Sequence, residues 1–144
     1  AIFDAAVAAI GAMQRAGLRV RRVSPYRRTA PEDATGRHWY LNAAVELETE
    51  MLPRVLLRRL RRIELQAGRH TRGHRHPPRT LDLDLLIYDR ARISTPELEV
   101  PHPRLARSFV LAALADLNPK LRPPGAARSV QQMLALFPSR FPRQ

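Results

Sequence analysis

Asp82 and Asp84 are the pair whose type and spacing invite chemistry. They lie in Pro77-Pro78-Arg79-Thr80-Leu81-Asp82-Leu83-Asp84-Leu85-Leu86-Ile87-Tyr88-Asp89, where Leu81, Leu83, Leu85 and Ile87 alternate with Thr80, Asp82, Asp84 and Leu86. A period of two predicts a half-buried strand, so burial of the leucines turns both carboxylates to the other face. Two residues of strand rise put their Cα atoms about 6.6 Å apart. At that separation carboxylates repel unless positive charge sits between them. Arg79 supplies part of that charge. One or two hard divalent cations would supply more, since Mg²⁺ takes a few carboxylates and completes its shell with water and phosphate oxygens. A bare Asp-x-Asp on a strand is more often a solvated face. The preceding arginine and the basic segment upstream tilt this one toward a phosphate and metal site.

That upstream segment holds nine arginines and three histidines between Arg54 and Arg79, against one acid, Glu64. Over all 144 residues, 25 basic side chains face 13 acidic ones, a net charge of +12, and Lys120 is the sole lysine. Such a balance favours anionic partners: a nucleotide, a nucleic acid or an acidic surface. Residues 69–76, Arg-His-Thr-Arg-Gly-His-Arg-His, contain nothing apolar and predict a mobile surface loop. Arginine forks suit such a loop to closing over phosphates. Its histidines match no structural zinc spacing and no cysteine exists to assist, so zinc is disfavoured.

The elements that must position these groups follow from pattern. Residues 1–16 read as an amphipathic helix burying Ile2, Phe3, Ala6, Val7, Ile10 and Met13, with Gly17 as its C-cap. Residues 18–23 alternate as a strand that Ser24-Pro25 interrupts, and 28–37 form a polar loop. Residues 40–49 alternate again, Tyr40 and Asn42 pointing the same way. Pro53 opens a helix whose buried stripe is Leu52, Leu56, Leu60, Ile63 and Ala67 and which Gly68 ends. Its arginines, Arg61 among them, read as a solvated face. Glu64 near the C-terminus opposes the helix dipole and must have another duty.

Beyond the Asp89-Arg90 turn, residues 92–100 predict a short hairpin returning on the aspartate strand, and Pro101-His102-Pro103 holds a histidine rigidly. A helix over 105–117 buries Leu105, Phe109, Ala113 and Leu117 before Asn118-Pro119 stops it. Ser129 caps a last short helix, and the tail from about residue 138 is basic and frayed. The order predicts one α+β domain over 1–144 with a mostly antiparallel sheet. With 44% hydrophobic residues, no bilayer-spanning run and no leader pattern, a soluble, cytoplasmic protein is expected.

Tyr40-Leu41-Asn42-Ala43-Ala44, Arg62-Ile63-Glu64-Leu65-Gln66-x-Gly68-Arg69, Pro78-Arg79-Thr80-Leu81-Asp82-Leu83-Asp84-Leu85 and Val100-Pro101-His102-Pro103-Arg104 resemble, in order, the motifs of the 6-hydroxymethyl-7,8-dihydropterin pyrophosphokinase family. The resemblance runs from Ala1 to about Leu117. It implies a ferredoxin-like plait and transfer of pyrophosphate from ATP to the pterin hydroxymethyl group, releasing AMP, in folate synthesis. By resemblance Asp82 and Asp84 hold two Mg²⁺ ions against the ATP phosphates. Tyr40 and Phe109 sandwich the pterin, and Asn42, Thr29 and Ala30 read its edge. Glu64, Arg79, Leu85, His102 and Arg107 match ATP-site positions, with Arg69 and His76 on the closing loop. Arg69, Arg79 and Arg107 join the two aspartates as the catalytic set. The family's opening strand and its Gly-Ser-Asn turn have no counterpart here. The expectation is that residues precede Ala1 or that another element, such as a second copy of the chain, fills that slot.

Two other readings compete. A basic nucleic-acid-binding module would use the arginine helix and the Arg/His loop, but no aromatic residue between Arg54 and Arg79 offers bases a stacking platform. A metal-dependent phosphohydrolase would use the same aspartates, yet the sequence names no water-activating base.

Overall fold

A computed structural model describes residues 2–29, 40–69 and 81–138, with backbone only for residues 2–6, 29, 40, 68 and 69. Ala30, His76, Arg79, most of the 69–76 loop and the tail lie outside the described residues. The fold is α+β. The elements are α1 (Ile2–Arg15), β1 (Arg19–Val23), β2 (Arg27–Thr29), β3 (Tyr40–Asn42), β4 (Val45–Glu48), α2 (Pro53–Arg69), β5 (Ile93–Ser94), β6 (Glu99–Val100), α3 (Ser108–Leu117) and α4 (Val130–Ala135). Every ladder among the described residues is antiparallel: β1 with β4, β2 with β3, β5 with β6.

The expected single strand over 40–49 is two strands, and Ser24 is the reason. Its N–H donates to the Ala44 carbonyl at 2.8 Å, and its hydroxyl accepts from the Ala44 N–H at 2.7 Å. A side-chain oxygen thus substitutes for a ladder acceptor where Pro25 follows. Three residues, 24–26, face two, 43 and 44, so the ribbon is bulged between Val23↔Val45 and Arg27↔Asn42.

The aspartate segment corrects a second expectation. Leu81, Leu83 and Leu85 are half-buried while Asp82 and Asp84 are exposed, so the period of two holds. Residues 81–88, however, join no ladder among the described residues. The backbone is held by other groups. Leu83 bonds to side chains of α2, and the Leu86 carbonyl accepts from the His102 N–H at 2.8 Å. The Tyr88 hydroxyl donates to the Met51 carbonyl. Residues 92–100 do form the hairpin β5–β6, which pairs with itself and not with this segment.

Leu81, Leu83 and Leu85 pack on a cluster built from Met13, Leu18, Leu56, Leu60 and Ile63, which joins the segment to α1 and α2. A second cluster joins α3 and α4 through Leu111, Leu114 and Val130, with Leu86, Ile87 and Phe109 against it. Because α4 covers α3 as well, the buried face of α3 is Val110, Leu111, Ala113 and Leu114, and Phe109 and Leu117 are only half-buried. The helix starts at Ser108, not 105, since 103–107 form a turn. Ser129 caps α4 in a reciprocal capping box with Gln132. Leu52 precedes α2 and is 70% exposed, its place in the buried stripe taken by Leu57. Val7, expected inside, is also exposed. α2 runs one residue past Gly68, to Arg69, within the usual spread of a helix end. No helix among the described residues is long and apolar enough to cross a membrane.

Candidate active site

Three elements converge on the aspartates. The segment 81–88 presents Asp82 and Asp84 on its exposed side, α2 contributes Glu64 and Arg61, and the 101–107 turn leading into α3 contributes His102 and Arg107.

Residue 83 lies between the carboxylates and is held on both sides. The Leu83 N–H donates to Glu64 Oε2 at 2.8 Å, and the Leu83 carbonyl accepts from Arg61 Nη1 at 3.3 Å. The same Nη1 donates to Glu64 Oε1 at 2.8 Å. Glu64 therefore has the duty its helix position demanded. Its carboxylate is committed to a backbone amide and an arginine one turn away. Arg61 is held more firmly protonated than an ordinary arginine, first by its bond to Glu64, against some desolvation, and then by the charges of Glu64, Asp84 and Asp82. Arg61 is the neighbour that pattern reading missed. The spacing Arg61–Glu64, one helical turn, was the available signal.

On the other flank, His102 Nε2 and Arg107 Nη2 each stand 4.0 Å from an Asp84 carboxylate oxygen. His102 Nδ1 accepts from the Arg104 N–H at 3.1 Å, which leaves Nε2 as the nitrogen facing Asp84. Burial pushes the imidazole below its ordinary pKa, Asp84 pulls it back up, and Arg107 and Arg104 push it down again. Arg107 Nε donates to the Arg104 carbonyl at 2.9 Å, and its guanidinium lies over the Phe109 ring, 4.8 Å from the centroid. Arg107 thus bridges Asp84 and Phe109.

The donor set around the aspartates is hard: two exposed carboxylates ringed by cations. Among the described residues no group of three or more His, Cys, Asp or Glu side chains could hold a metal. A cation here would have two protein carboxylates and fill its shell with water and ligand oxygens. Mg²⁺ fits that description, because it keeps several waters and is bound through one or two carboxylates plus phosphates.

Between α2 and the β5–β6 turn lies an open groove of about 560 Å³, lined by Leu57, Leu65, Arg58, Arg61, Arg62, Gln66 and Glu97. Arg58 Nε and Glu97 Oε1 are 3.5 Å apart. Arg61, which is bonded to the Leu83 carbonyl between the aspartates, also lines this groove.

The remaining residues expected at a site divide three ways. Asn42 is half-buried on β3, paired with Arg27 across the ladder. Leu85 faces away from the carboxylates, packed where two apolar clusters meet. Thr29 and Tyr40 are opposite each other in the β2–β3 ladder and Arg69 is the last residue of α2, all three described by backbone only. Ala30, His76 and Arg79 are outside the described residues.

A sequence model of the 7,8-dihydro-6-hydroxymethylpterin-pyrophosphokinase (HPPK) family matches residues 2–119. The chain is 47% identical over 110 residues to a mitochondrial folate synthesis bifunctional protein of Arabidopsis thaliana, an alignment covering 76% of this chain and 20% of that protein. It is 44% identical over 105 residues to the 2-amino-4-hydroxy-6-hydroxymethyldihydropteridine pyrophosphokinase of Bacillus subtilis, covering 72% of this chain and 62% of the relative. To the Pseudomonas aeruginosa protein of the same name it is 40% identical over 121 residues, covering 83% and 74%. The chain spans about a fifth of the plant bifunctional protein and about two thirds of the bacterial ones.

Proposed function

Since the chain belongs to the 7,8-dihydro-6-hydroxymethylpterin-pyrophosphokinase family, we propose that it transfers a pyrophosphoryl group from ATP to the hydroxymethyl group of the dihydropterin, releasing AMP, in folate synthesis. The observation that carries this reading is the exposed Asp82–Asp84 pair, with His102 and Arg107 each 4.0 Å from Asp84, and with Arg61, which also lines a basic groove, bonded to the Leu83 carbonyl between them.

In this reading the adenosine lies in the groove on Leu57 and Leu65, and the triphosphate runs past Arg61 toward the aspartates. Mg²⁺ held by Asp82 and Asp84, two ions by the family resemblance, would neutralise the phosphate oxygens and polarise the reacting phosphorus when bound. The pterin oxygen attacks the β-phosphorus in line, and the new O–P bond forms as the bond from that phosphorus to the bridging oxygen of AMP breaks. The hydroxyl proton passes to solvent, and the bridging oxygen departs as part of the AMP phosphate. Arg107 sits between Phe109 and Asp84, where it can order acceptor and phosphates relative to each other. Positioning and charge neutralisation are what such a transfer asks of a protein. Asn42 reads the pterin edge, Phe109 and Tyr40 supply its stacking faces, and Thr29 and Ala30 border it. Arg69, His76 and Arg79 complete the phosphate side.

The test is one assay. ATP, Mg²⁺ and 6-hydroxymethyl-7,8-dihydropterin should yield AMP and the pterin pyrophosphate. ADP as product, or turnover without pterin, overturns the proposal.

A further inference from the structure

The two peptides that join Asp82 to Asp84 are each held by a side chain of α2. The Leu83 N–H belongs to the peptide between Asp82 and Leu83 and is bonded to Glu64 Oε2. The Leu83 carbonyl belongs to the peptide between Leu83 and Asp84 and is bonded to Arg61 Nη1. We propose that Glu64 and Arg61 form a positioning clamp on the two peptides of Leu83 that sets the relative direction of the two carboxylates; this rests on the pyrophosphoryl-transfer reading of that pair.

An acid and a base one helical turn apart supply the acceptor and the donor, and they are bonded to each other at 2.8 Å. The clamp is mounted rigidly. Leu60 and Ile63, adjacent to Arg61 and Glu64, are buried in the cluster against which Leu81, Leu83 and Leu85 pack. Glu64 is largely buried and its side chain is 17% exposed, which strengthens its bond to the amide. Fixing both peptide planes fixes the Cα–Cβ directions of residues 82 and 84, and with them the gap a cation must bridge. Groups that orient ligands without touching the ion commonly govern its affinity. Glu64 therefore acts through the aspartates, where family resemblance alone puts it against the nucleotide. The charge of Arg61 also offsets the repulsion between the carboxylates.

The experiment compares wild type with Glu64→Ala, Glu64→Gln and Arg61→Met. It reads hydrogen exchange of the Leu83 amide without ligand, Mn²⁺ affinity in the presence of α,β-methylene-ATP, and turnover. In Glu64→Ala, Leu83 exchange should quicken about tenfold or more, and Mn²⁺ affinity should fall about 10- to 100-fold. Glu64→Gln keeps a carbonyl oxygen for the amide and should recover most of both. Arg61→Met should weaken Mn²⁺ binding by a smaller factor, and with Glu64→Gln it decides the matter if Glu64→Ala does not fold. Unchanged Mn²⁺ affinity in Arg61→Met or in folded Glu64→Ala, or unchanged Leu83 exchange in the latter, overturns the clamp. A wild type that releases no pterin-dependent AMP overturns the functional reading instead, whatever the exchange rates show.

Discussion

The Arg107 guanidinium lies over the Phe109 ring, 4.8 Å from its centroid, so one face of that aromatic is occupied by a cation. A pterin stacking on the same face must displace Arg107, and the nearby Asp84 carboxylate gives the freed guanidinium somewhere to go. In the proposed reaction, that would couple binding of the acceptor to ordering of the phosphate side through one side chain. Phe109→Leu keeps the packing against the α3–α4 cluster but removes the aromatic face. It should raise the pterin KM about 3- to 10-fold while leaving the ATP KM nearly unchanged. An unaltered pterin KM would make Phe109 a core residue only.

If the proposed reaction holds, Asp82→Ala and Asp84→Ala should each lower kcat about 100-fold or more, because charge stabilisation is usually the largest single contribution to phosphoryl transfer. Neither change should lower the melting temperature of the metal-free protein. Both carboxylates are exposed and the cations nearest Asp84 stand 4.0 Å away, so the loss of either costs little. Steady-state kinetics paired with thermal unfolding checks this. Wild-type turnover in both variants would reduce the pair to a solvated face.

What could be read in advance was whatever depends on local order. Asp82 and Asp84 alternate with half-buried leucines because side-chain direction along an extended chain is a property of the chain itself. The Ser129 cap was equally local, as was the rigid hold of Pro101 and Pro103 on His102, whereas the place of His102 at the site came from the family resemblance. The destination of Glu64 was not local. Its position against the helix dipole announced a duty, but the partner, Leu83, is 19 residues away and is brought near by packing. Arg61 looked like one more solvated arginine for the same reason. That 81–88 joins no ladder among the described residues, and that the strand splits at Ala44, depend on which backbone groups lie opposite, and a hydrophobic pattern does not encode that. Leu52 and Leu57 exchanged places because the helix boundary, not the period, decides which leucine faces inward.

Ser24 gives a stability prediction. Its hydroxyl is the recorded partner of the buried Ala44 N–H, and the residue itself is 3% exposed. Ser24→Ala strands that amide away from water. The cost should be about 1–3 kcal/mol, read as a lower urea midpoint with an unchanged slope. Because the bulge connects β1–β4 with β2–β3, the loss should also loosen β3, which carries Asn42. A midpoint within error of wild type would mean that water or another group satisfies the amide.

The pair Arg27–Asp116 ties β2 to α3, with Arg27 Nε donating to Asp116 Oδ2 at 2.7 Å and Nη2 donating to Oδ1 at 2.8 Å. The bond from Arg27 is the main cause holding the Asp116 carboxyl below its ordinary pKa of 3.8; desolvation opposes it and the arginine charge adds to it. The sign of the pH dependence follows. As pH falls through the ordinary aspartate range, the unfolded chain takes up a proton at this position before the folded chain does, so acidification favours unfolding. The contribution is fully present above about pH 4 and is lost as pH drops through the lower, folded value. Solvent exposure of Arg27 limits the size to about 0.5–1 kcal/mol, even for a forked pair. Asp116→Asn should therefore be less stable than wild type at pH 6–7 by that amount, with the gap closing below pH 4. Urea unfolding at a series of pH values measures it. Because β2 pairs with the strand bearing Tyr40 and Asn42, and α3 bears Phe109, the same substitution should raise the pterin KM more than the ATP KM. A stability gap that stays constant from pH 7 to pH 3 would show that the charge of Asp116 contributes nothing to the tie.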